Sequence, residues 1–284
     1  MEIIETIHEM QKRCEELRLS GQTISLVPTM GFFHEGHLEL MRVGKRHSDK
    51  LIISIFVNPI QFGLDEDYGG YPRDMEGDIS KAREVGVDIA FIPLAEEIYP
   101  DGFQTKITVQ KLTKHLCGLS RPGHFDGVTT VIAKLFNITK PHLAIFGQKD
   151  YQQLAIISRM IKDLNLDIRI IGVPIVRDAD GLAVSSRNNY LSHEQRKSAL
   201  SLKKSLDMAD EMFSHGEKSA KKIKMAIEKF ILSHPLTDID YINICHPVTL
   251  EDMKSVDGES LLALAVRVGK TRLIDNCLIG KPSG

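Results

Sequence analysis

"TISLVPTMGFFHEGHLELMR", residues 23–42, decides the reading of the fold. The apolar run Ile24 to Val27 suits a buried strand. Pro28 to Gly36 then reads as a loop at the strand's carboxyl end, with a helix starting near His37. The loop holds His34 and His37, with Gly31 before them and Gly36 between. A helix start offers unpaired N–H groups and partial positive charge, a natural seat for phosphate. Glycines let the backbone come close to a ligand, and histidines at i and i+3 share one side. A surface loop with incidental histidines and a zinc pair are the other readings. Zinc needs more ligands than His34 and His37 supply.

The same alternation continues outward. The N-terminal "MEIIETIHEMQKRCEEL" has a helical period. "KLIISIFVN", "VDIAFIP", "PHLAIFG" and "DIRIIGVPIV" read as further strands. Helical patterns at "MEGDISKAREVG", "GVTTVIAKLFNIT" and "DYQQLAIISRMIKDLN" separate them. Five short apolar strands alternating with helices predict an α/β fold, a parallel sheet covered on both faces with ligands at its carboxyl edge. After residue 176 the pattern changes. A polar, turn-rich stretch, "RDADGLAVSSRNNYLS", precedes helical segments near 193–214 and 217–233. Short strands follow at "DIDYINIC", "LLALAVRV" and "TRLIDNCLI". The expected domains are residues 1–176 and a smaller α+β C-terminal domain, 177–284.

Composition narrows the function. Among 284 residues the formal net charge is −2, which gives no global attraction for nucleic acid. Lys218, Lys221, Lys222, Lys224 and Lys229 read as a solvated helix face. No apolar run reaches the roughly 18–20 residues of a membrane span. The N-terminus lacks the pattern of a secretory signal, so the expected location is cytoplasmic. Cys14, Cys117, Cys245 and Cys277 are scattered, without a CxxC pair, which argues against structural zinc or a disulfide framework.

Three further stretches bear on chemistry. "FGQKDYQQ", residues 146–153, follows a strand and opens a helix. Lys149 suits phosphate, Asp150 suits a helix cap, and Gln152 and Gln153 suit a polar substrate. "VSSRN", residues 184–188, offers two hydroxyls and the planar donor fork of Arg187. In "FVNPIQFGLDEDYGGYPRD", residues 56–74, Asn58 and Gln61 stand among apolar side chains. That mixture fits a small hydroxylated substrate, and equally a core with its loop.

Taken in order, "PTMGFFHEGH", "FVNPIQF", "YPRD", "RPGHFDGV", "KLFN", "FGQKDYQQ", "GVPIVRDADGLAVSSRN" and "RLIDN" resemble the pantothenate synthetase (pantoate–β-alanine ligase) family over nearly the whole chain. That family lies within the HxGH nucleotidyltransferases, the motif being "HEGH" here. The resemblance implies a Rossmann-like first domain, a smaller second domain acting as a lid, and a homodimer. It implies a cytoplasmic ligase of pantothenate and coenzyme A biosynthesis, with pantoate, β-alanine and ATP as substrates and Mg²⁺ as cofactor. It places ATP on Met30, Gly31, Phe32, Phe33, His34, Glu35, Gly36 and His37. The rest of that ATP site is Gly147, Gln148, Lys149, Asp150, Val176, Val184, Ser185, Ser186 and Arg187. His37 matches the proposed proton donor, and His34, Lys149 and Arg187 join it as catalytic candidates. Gln61 and Gln153 match pantoate contacts. An acidic pair of some relatives is Gly77-Asp78 here, so Mg²⁺ is expected on phosphate oxygens and water, with no protein metal ligand assigned.

The implied chemistry joins pantoate and β-alanine through a pantoyl adenylate. The polar segment 177–190, with Asp180-Gly181, suits a bend that closes over ATP. The alternative is another HxGH nucleotidyltransferase, which keeps the nucleotide on its product. An aminoacyl-tRNA synthetase fragment lacks support, since neither a KMSKS-like loop nor a basic surface is found. A nucleotide-binding module without catalysis is a third rival, and His34, His37, Lys149 and Arg187 argue against it.

Overall fold

The computed structural model describes residues 1–63 and 68–280. Residues 64–67, within the 56–74 stretch singled out above, lie outside the described residues. By internal contact the chain divides into two compact units. The first comprises Met1–Gln110, Arg121–Gln148 and Gln153–Pro174; the second comprises Lys111–Ser120, Lys149–Gln152 and Ile175 onward.

The first unit begins with a strand, β1 (Glu2–Ile4), where the periodicity predicts helix. Thr6 then caps α1 (Ile7–Leu19), its hydroxyl accepting from Glu9 N at 3.3 Å. Three residues are too few to show a period. Their strand state comes from parallel pairing with residues 89–91, far away in sequence. There follow β2 (Ile24–Thr29), α2 (Glu35–His47), β3 (Lys50–Ile55), α3 (Met75–Val85), β4 (Ile89–Phe91) and α4 (Ala95–Ile98). After α5 (Cys117–Ser120), which belongs to the second unit, come α6 (His124–Thr139), β5 (Leu143–Gly147), α7 (Tyr151–Asp163) and β6 (Arg169–Val173).

Among the described residues the sheet is six-stranded and parallel, in the order β1-β4-β3-β2-β5-β6. The near-continuous apolar runs of β2 and β3 reflect burial on both faces. Val27, Leu51, Ile53 and Ile145 pack with Met41 of α2. Gly44 permits this, because a Cβ there would meet Leu51 Cδ1 at 2.8 Å. β3 follows β2 on one side and β5 lies on the other, so the order reverses beside β2. Ligands of open α/β sheets bind at the carboxyl ends of strands at such a reversal. The histidine loop after β2 and the Gly147–Gln148 step after β5 are the segments leaving that edge.

The second unit holds α8 (His193–Ser214), α9 (Ala220–Leu232) and an antiparallel sheet of β7 (Thr237–Cys245), β8 (Ser260–Val268) and β9 (Thr271–Ile279). Ser192 and Gln195 form a reciprocal capping box at the start of α8. Ile223, Ile227 and Ile231 of α9 join Leu202, Leu206, Leu262 and Leu264 in the core. Lys221, Lys222 and Lys229 stay exposed on the opposite face, as the sequence suggests, whereas Lys224 is half-buried and donates to Asn243 Oδ1 at 3.5 Å. No helix among the described residues is long and apolar enough to cross a membrane.

Candidate active site

The histidine loop is held from both ends. Thr29 Oγ1 donates to Ser54 O at 2.6 Å and accepts from Gly31 N at 3.2 Å. Gly31 (φ +81°) and Phe32 (φ +54°) turn the chain through the left-handed region, which costs a non-glycine residue energy. The compensation comes from α3. The buried Asp78 carboxylate accepts from Phe32 N at 2.7 Å and Phe33 N at 2.6 Å. Lys81, one turn on, donates to Phe33 O at 2.9 Å. Burial pushes the Asp78 carboxyl above its ordinary pKa, and the bonds from Phe33 and Phe32 pull the other way.

The helix starts earlier than the pattern predicts. Glu35 is its first residue and His34 its N-cap, so both histidines lie at the very end of α2. His34 N donates to His37 Nδ1 at 3.4 Å, and the two rings stack with centroids 4.0 Å apart. That bond makes Nδ1 an acceptor and assigns the proton of neutral His37 to Nε2. Gly36 makes the stack possible, since a Cβ would stand 2.9 Å from His34 Cε1. The structure therefore unites His34 and His37 as the sequence predicts, and gives a steric reason for the glycine.

Gln61 ends a 3-10 turn, Pro59–Gln61, and is buried. Its Oε1 accepts from Asn58 Nδ2 at 3.1 Å, and its Nε2 reaches Met30 Sδ at 3.0 Å. Asn58 in turn accepts from Tyr99 Oη at 2.7 Å and donates to Gly127 O at 3.0 Å. This chain fixes which way the Gln61 amide faces. A Cβ on Gly127 would lie 2.5 Å from Ile60 O, so the glycine of "HFDGV" lets α6 press on "NPIQ". His124 also donates Nδ1–H to Gln61 O at 2.8 Å. Gln153 lies half-buried in the first turn of α7. Its neighbour Gln152 departs from expectation: it is buried, and its amide donates to Leu112 O and His115 O at 2.8 and 2.7 Å. Its donors hold chain rather than substrate.

In the second unit, Lys149 and exposed Asp150 belong to a 3-10 turn, Gln148–Asp150, that runs straight into α7. Val184 N donates to Val176 O at 3.0 Å, pairing the two valines across a hairpin. Ser185 caps the 3-10 turn Ser186–Tyr190, its hydroxyl accepting from Arg187 N at 3.3 Å. Arg177 closes the hairpin with two bonds to buried Asp275, at 2.7 and 2.9 Å, and one to Gly181 O. Asp78, Lys81, Tyr99, Arg177 and Asp275 carry no role in the sequence reading. Each acts through a partner distant in sequence, and no local pattern announces such pairs.

A parallel sheet whose order reverses beside a His-x-Gly-His helix start defines a nucleotide-handling α/β enzyme. A family profile described as pantoate-beta-alanine ligase matches residues 2–278. The pantothenate synthetase of Syntrophus aciditrophicus is 57% identical over 281 residues, covering 99% of this chain and 98% of that protein. That of Desulforapulum autotrophicum is 55% identical over 279 residues, covering 98% and 99%. The crystal structure of pantothenate synthetase from Thermus thermophilus superposes with TM-score 0.93 at 41% identity, covering 99% of this chain and 100% of that one. The pantoate-beta-alanine ligase of Francisella tularensis, complexed with beta-gamma ATP and beta-alanine, gives 0.82 at 35%, covering 98% and 97%. The chain belongs to the pantoate–β-alanine ligase family. It is a ligase, and the reaction of the family is the ATP-dependent condensation of pantoate with β-alanine. Nothing in these comparisons supports a nucleotidyltransferase that retains the nucleotide on its product.

Proposed function

We propose that the condensation runs in two steps on the residues named above. The pantoate carboxylate attacks the α-phosphorus of ATP, breaking the bond to pyrophosphate and giving pantoyl adenylate. The β-alanine amine then attacks the acyl carbon and displaces AMP, leaving pantothenate. The first step brings like charges together. At about 4 Å this costs roughly 1 kcal/mol per unit pair in water and about 4 at an effective dielectric of 20. Lys149 and Arg187 offset that repulsion, while His34, His37 and the N–H groups of the α2 start meet charge growing on the phosphate oxygens. Met30–His37, Gly147–Asp150, Val176 and Val184–Arg187 serve ATP; Gln61 and Gln153 serve pantoate.

The single observation that supports this reading most is the stacked His34–His37 pair at the N-terminus of α2, with Nδ1 of His37 accepting from His34 N. Mg²⁺ enters with the nucleotide. Among the described residues no group of three or more His, Cys, Asp or Glu suits a metal, and both Asp78 oxygens accept backbone N–H groups. Among the described residues the Asp78 carboxylate is thus committed to the histidine loop rather than offered to the ion, and no step is assigned to Mg²⁺. A homodimer follows from the family resemblance, and a reducing, cytoplasmic setting agrees with four free cysteines.

The test omits one substrate at a time. ATP with pantoate should yield pyrophosphate and bound adenylate, with pantoate-dependent scrambling of the ATP β–γ bridge oxygen. AMP and pantothenate should need all three substrates. No scrambling, with pyrophosphate appearing only alongside β-alanine, would overturn the separate adenylate.

A further inference from the structure

The motif "RLIDN" ends on β9, far in sequence from every residue assigned to substrate. Its Asp275 and Asn276 are both buried polar side chains, and burying them without partners would be costly. Their partners form one continuous chain. Arg177 grips the Asp275 carboxylate with two guanidinium nitrogens at 2.7 and 2.9 Å. The same carboxylate accepts from the backbone N of Asn276 at 2.9 Å. The Asn276 amide then donates Nδ2–H to the backbone carbonyl of Lys149 at 2.9 Å.

Adjacent strand residues face opposite sides, so one step of β9 reaches two separate segments. Asp275 ties down the hairpin that leads into Ser185–Arg187. Asn276 ties down the turn that carries Lys149. That turn is only three residues long and gives Lys149 little regular structure of its own. A side-chain amide carried on a regular strand, whose backbone N–H is itself held by the Asp275 carboxylate, is a firm reference for it.

We infer that Asn276 is a positioning residue for the ligase: it fixes the Lys149 backbone, and so aims the ammonium group at the nucleotide. This deepens the proposed function and rests on its assignment of Lys149 to ATP. Asn276 touches no reacting atom in this scheme; its effect on the reaction runs through Lys149. Asp275 and Arg177 hold Asn276 in place.

The test uses pantoate-dependent ATP–pyrophosphate exchange, which reports adenylation without β-alanine. Asn276→Ala should lower its kcat by roughly 10- to 100-fold, the scale of a small misplacement of a catalytic group. The pantoate dissociation constant and thermal midpoint should stay near those of the parent. Asn276→Asp keeps the shape and replaces the donor with an acceptor facing the carbonyl, so it should lose as much. The deciding readout is the double variant. If Asn276 works through Lys149, Lys149→Ala/Asn276→Ala is no slower than Lys149→Ala alone. Multiplying losses, normal exchange in Asn276→Ala, or failure of both Asn276 variants to fold would overturn the inference and leave the Lys149 assignment standing. Normal exchange in Lys149→Ala would instead remove that assignment, and the inference with it.

Discussion

The Asp78 carboxylate stands 2.6 Å from the backbone nitrogen of Phe33, across 45 residues of sequence. With the matching bond to Phe32, it holds two consecutive N–H groups at the point where the histidine loop passes through its left-handed turn. Gly31 is bound into the same geometry, since a Cβ there would lie 2.9 Å from Asp78 Oδ2. Asp78→Asn should disturb this turn more than its isosteric shape suggests. One of the two acceptors becomes an NH₂ that faces a backbone N–H. The loss should be about 1–3 kcal/mol of stability, the scale of one buried unpaired donor. Adenylation should slow as well, because His34 and His37 follow directly. Chemical denaturation and ATP–pyrophosphate exchange check this; wild-type values in both would show that the loop holds its shape without the carboxylate.

Gly36→Ala separates stability from activity. In helices alanine is favoured over glycine by about 0.8–1 kcal/mol, so the midpoint of unfolding should hold or rise slightly. The new Cβ would press on the His34 ring at 2.9–3.0 Å and break the stack with His37. Adenylation should then fall by about 10- to 100-fold. Single-turnover kinetics at saturating ATP and pantoate measure it. Full activity would mean that the stacked arrangement is dispensable.

Tyr99→Phe tests the orientation of Gln61. The phenol donates to Asn58 Oδ1, and Asn58 donates to Gln61 Oε1. Burial pushes the Tyr99 phenol up, so it remains a donor at neutral pH. Without it, the Asn58 amide is free to reverse and the Gln61 amide loses its fixed sense. Pantoate KM should rise roughly tenfold, equivalent to about 1.4 kcal/mol, with ATP KM unchanged. Gln61→Ala and Gln153→Ala should act on pantoate in the same direction. A rise in ATP KM with normal pantoate KM would reassign this pocket to the nucleotide.

The legible and illegible parts of the chain differ in range. β2, α2 and β9 are readable because their burial is written in nearby residues, as runs or periods. The pairing of His34 with His37 is readable for the same reason. β1 is not, because its three residues become a strand only by pairing with β4. Gln152 resembles a substrate ligand because an amide after a strand end suits either task. Its use by Leu112 and His115 depends on how residues 111–120 fold back. Asp78, Tyr99 and Asp275 are polar groups whose partners are 41 or more residues away, and the motif match marks their neighbourhoods without their roles.

His142 supplies a pH dependence of stability whose sign can be worked out. Its Nδ1 accepts from Ile24 N at 3.0 Å, at the base of β2, and its Nε2 lies 3.2 Å from Arg18 Nη1. Burial, and then the Arg18 charge, lower its pKa below the ordinary 6.5. A depressed folded pKa means that the unfolded chain binds the proton more readily. The His142 contribution is therefore present above about pH 6.5 and is lost as pH falls through the lower folded value. Protonation at Nδ1 would also put a hydrogen against the Ile24 N–H. Urea unfolding at about pH 8 and about pH 5 should show a loss in the parent protein that is smaller in His142→Gln, the difference isolating this group from other titrations. The side chain is partly exposed, so salt should reduce the Arg18 share of the effect while leaving the backbone bond. An identical acid loss in His142→Gln would assign the dependence to other groups.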